Sequence, residues 1–150
     1  MDKFAFVSFI VVLSLISACE DRERKESRLL LERLRSVDIR MPYDKRKSAV
    51  TQIEALVFTE KKLSQIRDRC VRAHRALIEA EEQQEKAKRV LERATALDAN
   101  ASIKEPDLAV IAEAVSRSND EIKRAKDAFP SCDRAIRGLE LRFASGHRLR

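Results

Sequence analysis

Cys19, Cys70 and Cys132 are the residues whose types and spacing offer the clearest chemistry in this chain. A thiol can be acylated, can attack when a base activates it, or can pair with a second thiol in an oxidising compartment. The remaining candidates lead elsewhere. His74 and His147 are the only imidazoles, and neither has a neighbour at i+3 or i+4 that would complete a metal site or a nucleophile pair. Glu79, Glu81, Glu82 and Glu85 crowd one stretch, yet amid Lys86, Lys88 and Arg89 at helical spacing they read as a solvated, salt-bridged face. Gly138 and Gly146 are isolated, so no phosphate-cradling loop is present. The expectation is a non-enzymatic protein with no catalytic residue, metal or cofactor.

The first thiol sits at the end of a distinctive segment. Met1-Asp2-Lys3 is followed by the apolar run Phe4 to Ile16 and then by small residues, the layout of a secretory signal. The run is too short to span a bilayer, which takes about 20 residues of helix. Ile16-Ser17-Ala18-Cys19 resembles the lipobox of bacterial lipoproteins: an aliphatic residue, two small residues, then the cysteine. The resemblance covers only this N-terminal segment. It implies that residues 1–18 are a signal peptide removed after Ala18, and that the Cys19 thiol receives a diacylglycerol. It also implies that the new amine can carry a further chain such as palmitate. Two or three acyl chains anchor a protein stably where one would not. By the enterobacterial sorting pattern, Glu20 in place of Asp favours the outer membrane, with the protein facing the periplasm.

With Cys19 used by lipid, Cys70 and Cys132 are expected to pair, because an exported chain meets an oxidising compartment. Two Gly, three Pro, no Trp and 37% charged residues point to long helices rather than a thick core. Residues 19–28 read as the lipidated cysteine and a tether, and residues 29–150 as one helical domain.

The elements that would bring the thiols together follow from periodicity. From Ala49 to Ala94, positions spaced alternately by three and four give the seam Ala49, Gln52, Leu56, Thr59, Leu63, Ile66, Cys70, Ala73, Leu77, Ala80, Gln84, Ala87, Leu91, Ala94. A second seam runs Leu108, Ile111, Val115, Ser118, Ile122, Ala125, Phe129, Cys132, Ile136, Leu139, Phe143. Asp98, Asn100, Ser102 and Pro106 supply stop and start signals between them. Folding back at Ala101 pairs positions whose numbers sum to 202. Cys70 then meets Cys132, alanines at 73, 80, 87 and 94 face large residues, and Gln84 faces Ser118 as a polar layer. The expected fold is an all-α, coiled-coil-like antiparallel hairpin, stapled by a disulfide.

Two arms are expected, of about 80 Å from Asp44 to Ala99 and about 60 Å from Pro106 to Ser145, at about 1.5 Å per residue. Pro130 should kink the second arm without reversing it. A short amphipathic helix within Glu20–Arg40, carrying Leu29, Leu30, Leu31, Leu34, Val37 and Ile39, should end at Met41-Pro42 and pack at the base, with Asp44 capping the next helix. A second stripe on the first arm, Val50, Ile53 and Val57, then Val71, His74 and Ile78, needs cover. Its latter part, Val71, His74 and Ile78, is the candidate partner-binding face.

Charge is segregated. Residues 61–75 hold six Lys or Arg against one acid and residues 133–150 hold five against two, plus eight together at the open end, whereas residues 76–128 hold nine against twelve. Lys61, Lys62, Arg67, Arg69, Arg137 and Arg142 are the candidates for contact with anionic lipid or a cell-wall surface. Nucleic acid is disfavoured by the compartment and by the lack of stacking aromatics. Three function classes fit: an envelope adaptor or scaffold binding a protein partner, a protective periplasmic lipoprotein such as an immunity or entry-exclusion factor, or a spacer between cell wall and outer membrane. The spacer class resembles in outline the small helical lipoprotein that joins outer membrane to peptidoglycan. Arg148-Leu149-Arg150 stands where that family has its terminal lysine.

Overall fold

The computed structural model describes residues 22–96 and 103–145, with side chains as far as Arg142. Residues 1–18 (expected to be a signal peptide), Cys19, the expected fold-back point at Ala101, Phe143's side chain and the residues from Gly146 lie outside the described residues. All regular structure among the described residues is helical: α1 over 22–35, α2 (Tyr43–Glu54), α3 (Lys61–Thr95) and α4 (Glu105–Ser145). Helices α3 and α4 form the antiparallel hairpin, and α1 and α2 pack at its base.

The expected first arm is two helices. Between Ala55 and Glu60 the chain reverses, and α2 runs back along α3: Glu54 pairs with Arg75, while Lys47, earlier in the chain, pairs with Glu82. Sequence numbers falling along α2 match numbers rising along α3, so the two are antiparallel. The break is held at both sides. The Arg67 guanidinium donates to the Leu56 carbonyl left free at the end of α2, Phe58 is buried, and the Glu60 side chain accepts from the Lys62 amide at the start of α3. Periodicity missed the reversal because Leu56 and Thr59 happen to keep the seam spacing through it. At 35 residues, α3 is about 52 Å long, shorter than the expected arm.

The N-terminal tether assignment is also corrected. Residues 22–28 are helical, and Ser27 is buried. The Glu26 carboxylate accepts from the Thr59 amide at 3.0 Å and the Thr59 hydroxyl at 2.9 Å, which joins α1 to the reversal before α3. Leu30, Leu31, Leu34 and Val37 enter the same core as Leu63, Cys70, Cys132 and Leu139, and Arg35 reaches Glu140 of α4 at 2.6 Å. Pro42 stands at the start of α2 and no side chain caps it. Asp44 lies in the first turn, where its charge favours the helix N-terminus without a cap bond.

The seam closes in the expected register, with one lateral shift. Cys70 and Cys132 form a disulfide with Cα atoms 4.8 Å apart. Ala73, Ala80 and Ala87 on α3, and Ser118, Ala125, Cys132 and Leu139 on α4, are buried at seven-residue intervals. At the intervening layers, however, the smaller of two adjacent residues turns inward: Ala76 and Val90 are buried beside half-buried Leu77 and exposed Leu91, and Ala114 is buried beside exposed Val115. The expected small-against-large layers therefore do not form throughout. Alanine at the centre lets the backbones approach closely, and only small neighbours fit between them; the bulkier residues move to the edges. The polar layer shifts as well, since Gln84 is exposed while Gln83 Oε1 and Ser118 Oγ are buried without a hydrogen-bond partner among the described residues. Helix α4 runs through Pro130 unbroken. The proline is exposed, so its missing N–H disturbs only the outer side.

Replacing Cys70 and Cys132 together by alanine should lower stability by about 4 kcal/mol, given the sequence separation of 62 residues that the bridge closes. Urea unfolding of the oxidised protein and the double variant measures it; a difference below about 1 kcal/mol would assign the register to packing alone.

Candidate functional site

The densest polar arrangement lies where α2 crosses α3, about three turns of α3 beyond the disulfide. Arg46 is only 2% exposed although it belongs to the most basic stretch of α2. Its guanidinium donates to the Ile39 and Met41 carbonyls, which ties down the loop before α2, and to Glu81 of α3. Arg46 Nε has no partner among the described residues. Beside it, Lys47 donates to Glu82 at 2.7 Å and to the Tyr43 hydroxyl at 3.1 Å, and Tyr43 donates to the same carboxylate. The hydrogen bond from Lys47, then that from Tyr43, hold the Glu82 carboxyl below the usual carboxylate range. The bond to Glu82 raises the Tyr43 hydroxyl, and the same carboxylate raises the Lys47 ammonium.

His74 packs about two turns before Glu81 on α3, towards the disulfide. It is 6% exposed, its ring meets Phe129 of α4 edge-on at 5.1 Å, and Nδ1 has no partner among the described residues. Burial pushes the imidazole below its ordinary value and the charge of Arg46 pushes it further, against a smaller opposing effect of Asp133. A neutral ring in an apolar slot is a packing element. The arrangement fastens one helix to another, and Tyr43, Glu81 and Glu82 also border an open groove. Among the described residues no group of three metal-ligating side chains converges, and no helix is long and apolar enough to cross a membrane.

No protein-family model, curated protein or solved structure matches this chain. The site must therefore be read from its own geometry.

The candidate partner-binding face does not survive as a free surface. Val71, His74 and Ile78 are all buried, because the chain reversal lays Val50 and Ile53 of α2 over them. The two halves of the expected stripe cover each other, and only Val57, in the loop, is left out in solvent. The basic candidates are more dispersed. Lys61, Arg69 and Arg137 are exposed, Lys62 and Arg142 are half-buried, and Arg67 is committed to the Leu56 carbonyl and to Asp68 at 2.8 Å. Arg67 is thus a structural brace and leaves the anionic-surface set.

Sequence reasoning missed Arg46, and took Glu81 and Glu82 for solvated residues paired along their own helix. Their partners lie 35 residues away on α2. The only signal was an adjacent Arg46-Lys47 facing an adjacent Glu81-Glu82, which becomes visible once the reversal is known.

Two outcomes follow. Glu81→Gln should destabilise by about 2–3 kcal/mol, because it leaves a buried guanidinium without its carboxylate, whereas Lys47→Met, in an exposed pair, should leave stability nearly unchanged; denaturant unfolding of both variants checks the contrast. The His74 pKa is lowered on folding, so its contribution is fully present above the unfolded value near 6.5 and declines as pH falls through that value towards the folded one. Unfolding free energies from pH 8 to 5 should fall with a His74-dependent slope of up to about 1.4 kcal/mol per pH unit, and His74→Leu should remove that part of the slope.

Proposed function

We propose that this chain is a lipid-anchored bacterial envelope protein that serves as a non-enzymatic adaptor or scaffold for a protein partner. The observation that carries the reading is the segment Phe4 to Cys19, with Ile16-Ser17-Ala18-Cys19 matching the lipobox pattern. The paired Cys70 and Cys132 support it, since a structural disulfide belongs to an exported protein. So does the shape of the described part: a hairpin about 50–60 Å long offers reach and side surface.

The base of the hairpin adjoins α1, the element nearest Cys19 in sequence. That end carries exposed Lys61, Arg69 and Arg137, a polarity that suits an anionic membrane or cell-wall surface next to the anchor. Outer-membrane attachment facing the periplasm follows from Glu20 after the cysteine. The same anchor and fold also accommodate a protective immunity or entry-exclusion lipoprotein. A partner that is an incoming toxin or conjugation component distinguishes this from a resident envelope assembly. A cell-wall spacer would be released from sacculi only by muramidase.

Expression in a bacterial host with labelled palmitate should give a labelled protein that fractionates with the outer membrane, and Cys19→Ser should lose the label and appear in the soluble periplasmic fraction. Equal behaviour of the two proteins would remove the anchor, and with it this reading.

A further inference from the structure

The direction of α1 decides which end of the hairpin lies nearest Cys19. The Glu26 carboxylate meets Thr59 just before α3, and further along the chain the Ile39 carbonyl is held by Arg46, which also holds Glu81 of α3. Numbers rising along this segment match numbers rising along α3, so α1 runs parallel to α3 and starts at the open end of the hairpin. Residue 22, the first of α1, stands about 6 Å before Glu26, on the side away from the tip. Helix α4 finishes at the same end, where Arg35 reaches Glu140. Three residues of chain join Cys19 to residue 22, a span of at most about 11 Å, whereas α3 carries the tip about 52 Å away.

The open end is cationic, and its acids are occupied within the fold. Residues 22–28, 59–62 and 137–142 hold eight Lys or Arg against four acids. Glu26 accepts from Thr59 and Arg22, Glu60 accepts from the Lys62 amide, and Glu140 holds Arg35. Lys25, Arg28, Lys61 and Arg137 are exposed and pair with no acid among the described residues. Arg28 lines a groove between α1 and α4 with Leu31, Arg35 and Glu140; since Glu140 holds Arg35, the Arg28 guanidinium is the one left to take phosphate oxygens. Toward the tip the balance reverses, residues 76–128 holding nine basic against twelve acidic residues.

Chain direction and charge together fix how an anchored hairpin stands. Lipid at Cys19 holds the open end, and not the tip, at the bilayer. A hairpin lying flat would press its acidic half against anionic headgroups; one standing on its open end brings Lys25, Arg28, Lys61 and Arg137 to the phosphates and carries the acidic half outward, beyond the screening distance of about 8 Å. We infer that the open end is a seat for the anionic phospholipid headgroups of the membrane that holds the anchor, and that the hairpin stands on this seat with its tip directed away from the bilayer. The inference rests on the lipid anchor proposed above and adds a direction to it. A short tether fixes position but leaves tilt free, and the seat removes that freedom. It also supplies a second attachment beside the acyl chains. A protein partner is then met along the upper half of the hairpin, remote from the membrane.

The test uses the acylated full chain in vesicles whose surface carries an acceptor dye, with a donor dye on Gln65→Cys near the open end or on Glu92→Cys near the tip. Both positions are exposed and lie about 40 Å apart along α3, and the paired Cys70 and Cys132 take no dye. In vesicles containing phosphatidylglycerol, energy transfer from position 65 should exceed that from position 92 at least about fivefold, as that separation requires of an upright hairpin. In phosphatidylcholine vesicles, at high salt, or with Lys25→Glu and Lys61→Glu combined, the difference should shrink about twofold or more as the hairpin tilts. Lys86→Glu with Arg89→Glu, the same change of charge nearer the tip, should leave it unaltered. Equal transfer from the two positions in anionic vesicles, or a difference indifferent to lipid charge, would overturn the seat and leave the anchor standing. Protein that floats with neither kind of vesicle would overturn both.

Discussion

The bond between Cys70 and Cys132 constrains two helices to lie with their backbones almost in contact, and much of the remaining packing follows from that separation. Large side chains cannot fit between backbones so close, so from the bridge towards the tip the interface closes on alanine, serine and valine. Small layers bury little apolar area, and a hairpin built from them is thin. The bulky residues are left at the edges, where they must find other cover. At the base they find it in α1 and α2; at the tip Leu91, Leu108 and Val115 do not find it within the described chain.

Cover at the base is itself unusual in composition. Helix α2 contributes Val50 and Ile53 to the core, but its largest buried side chain is Arg46. Burying a guanidinium is costly unless its donors are satisfied, and here two backbone carbonyls and Glu81 meet most of them. Apolar contact gives α2 its attraction to the hairpin, while the Arg46–Glu81 and Lys47–Glu82 pairs fix where along α3 it lies. His74 sits between this polar contact and the disulfide, neutral and edge-on to Phe129, so the pH response of the fold is concentrated at the junction of three helices.

The hairpin and its register were legible in the sequence because independent patterns agreed: the two seams, the turn signals between them and the positions of the two cysteines. The reversal at Ala55–Glu60 was not, since a loop that preserves the three-and-four spacing of its flanks leaves no mark in periodicity. Everything dependent on that reversal was lost with it, including the burial of Val71, His74 and Ile78, the role of Arg46 and the bracing of Leu56 by Arg67. The choice between Gln83 and Gln84, or Val90 and Leu91, was equally hidden. Adjacent residues satisfy the same seam, and only the distance between backbones decides which one enters it. Ile16-Ser17-Ala18-Cys19 presents the opposite case: its resemblance to a lipobox is read in the sequence alone, and it lies outside the described residues.

The Cys70–Cys132 linkage holds the hairpin in register. Proteolysis of the folded protein after alkylation of free thiols, analysed without reduction by mass spectrometry, tests it most directly. A fragment containing Cys70 joined to one containing Cys132, separable only on reduction, is the predicted result. Alkylated Cys70 and Cys132 in the folded chain would contradict it.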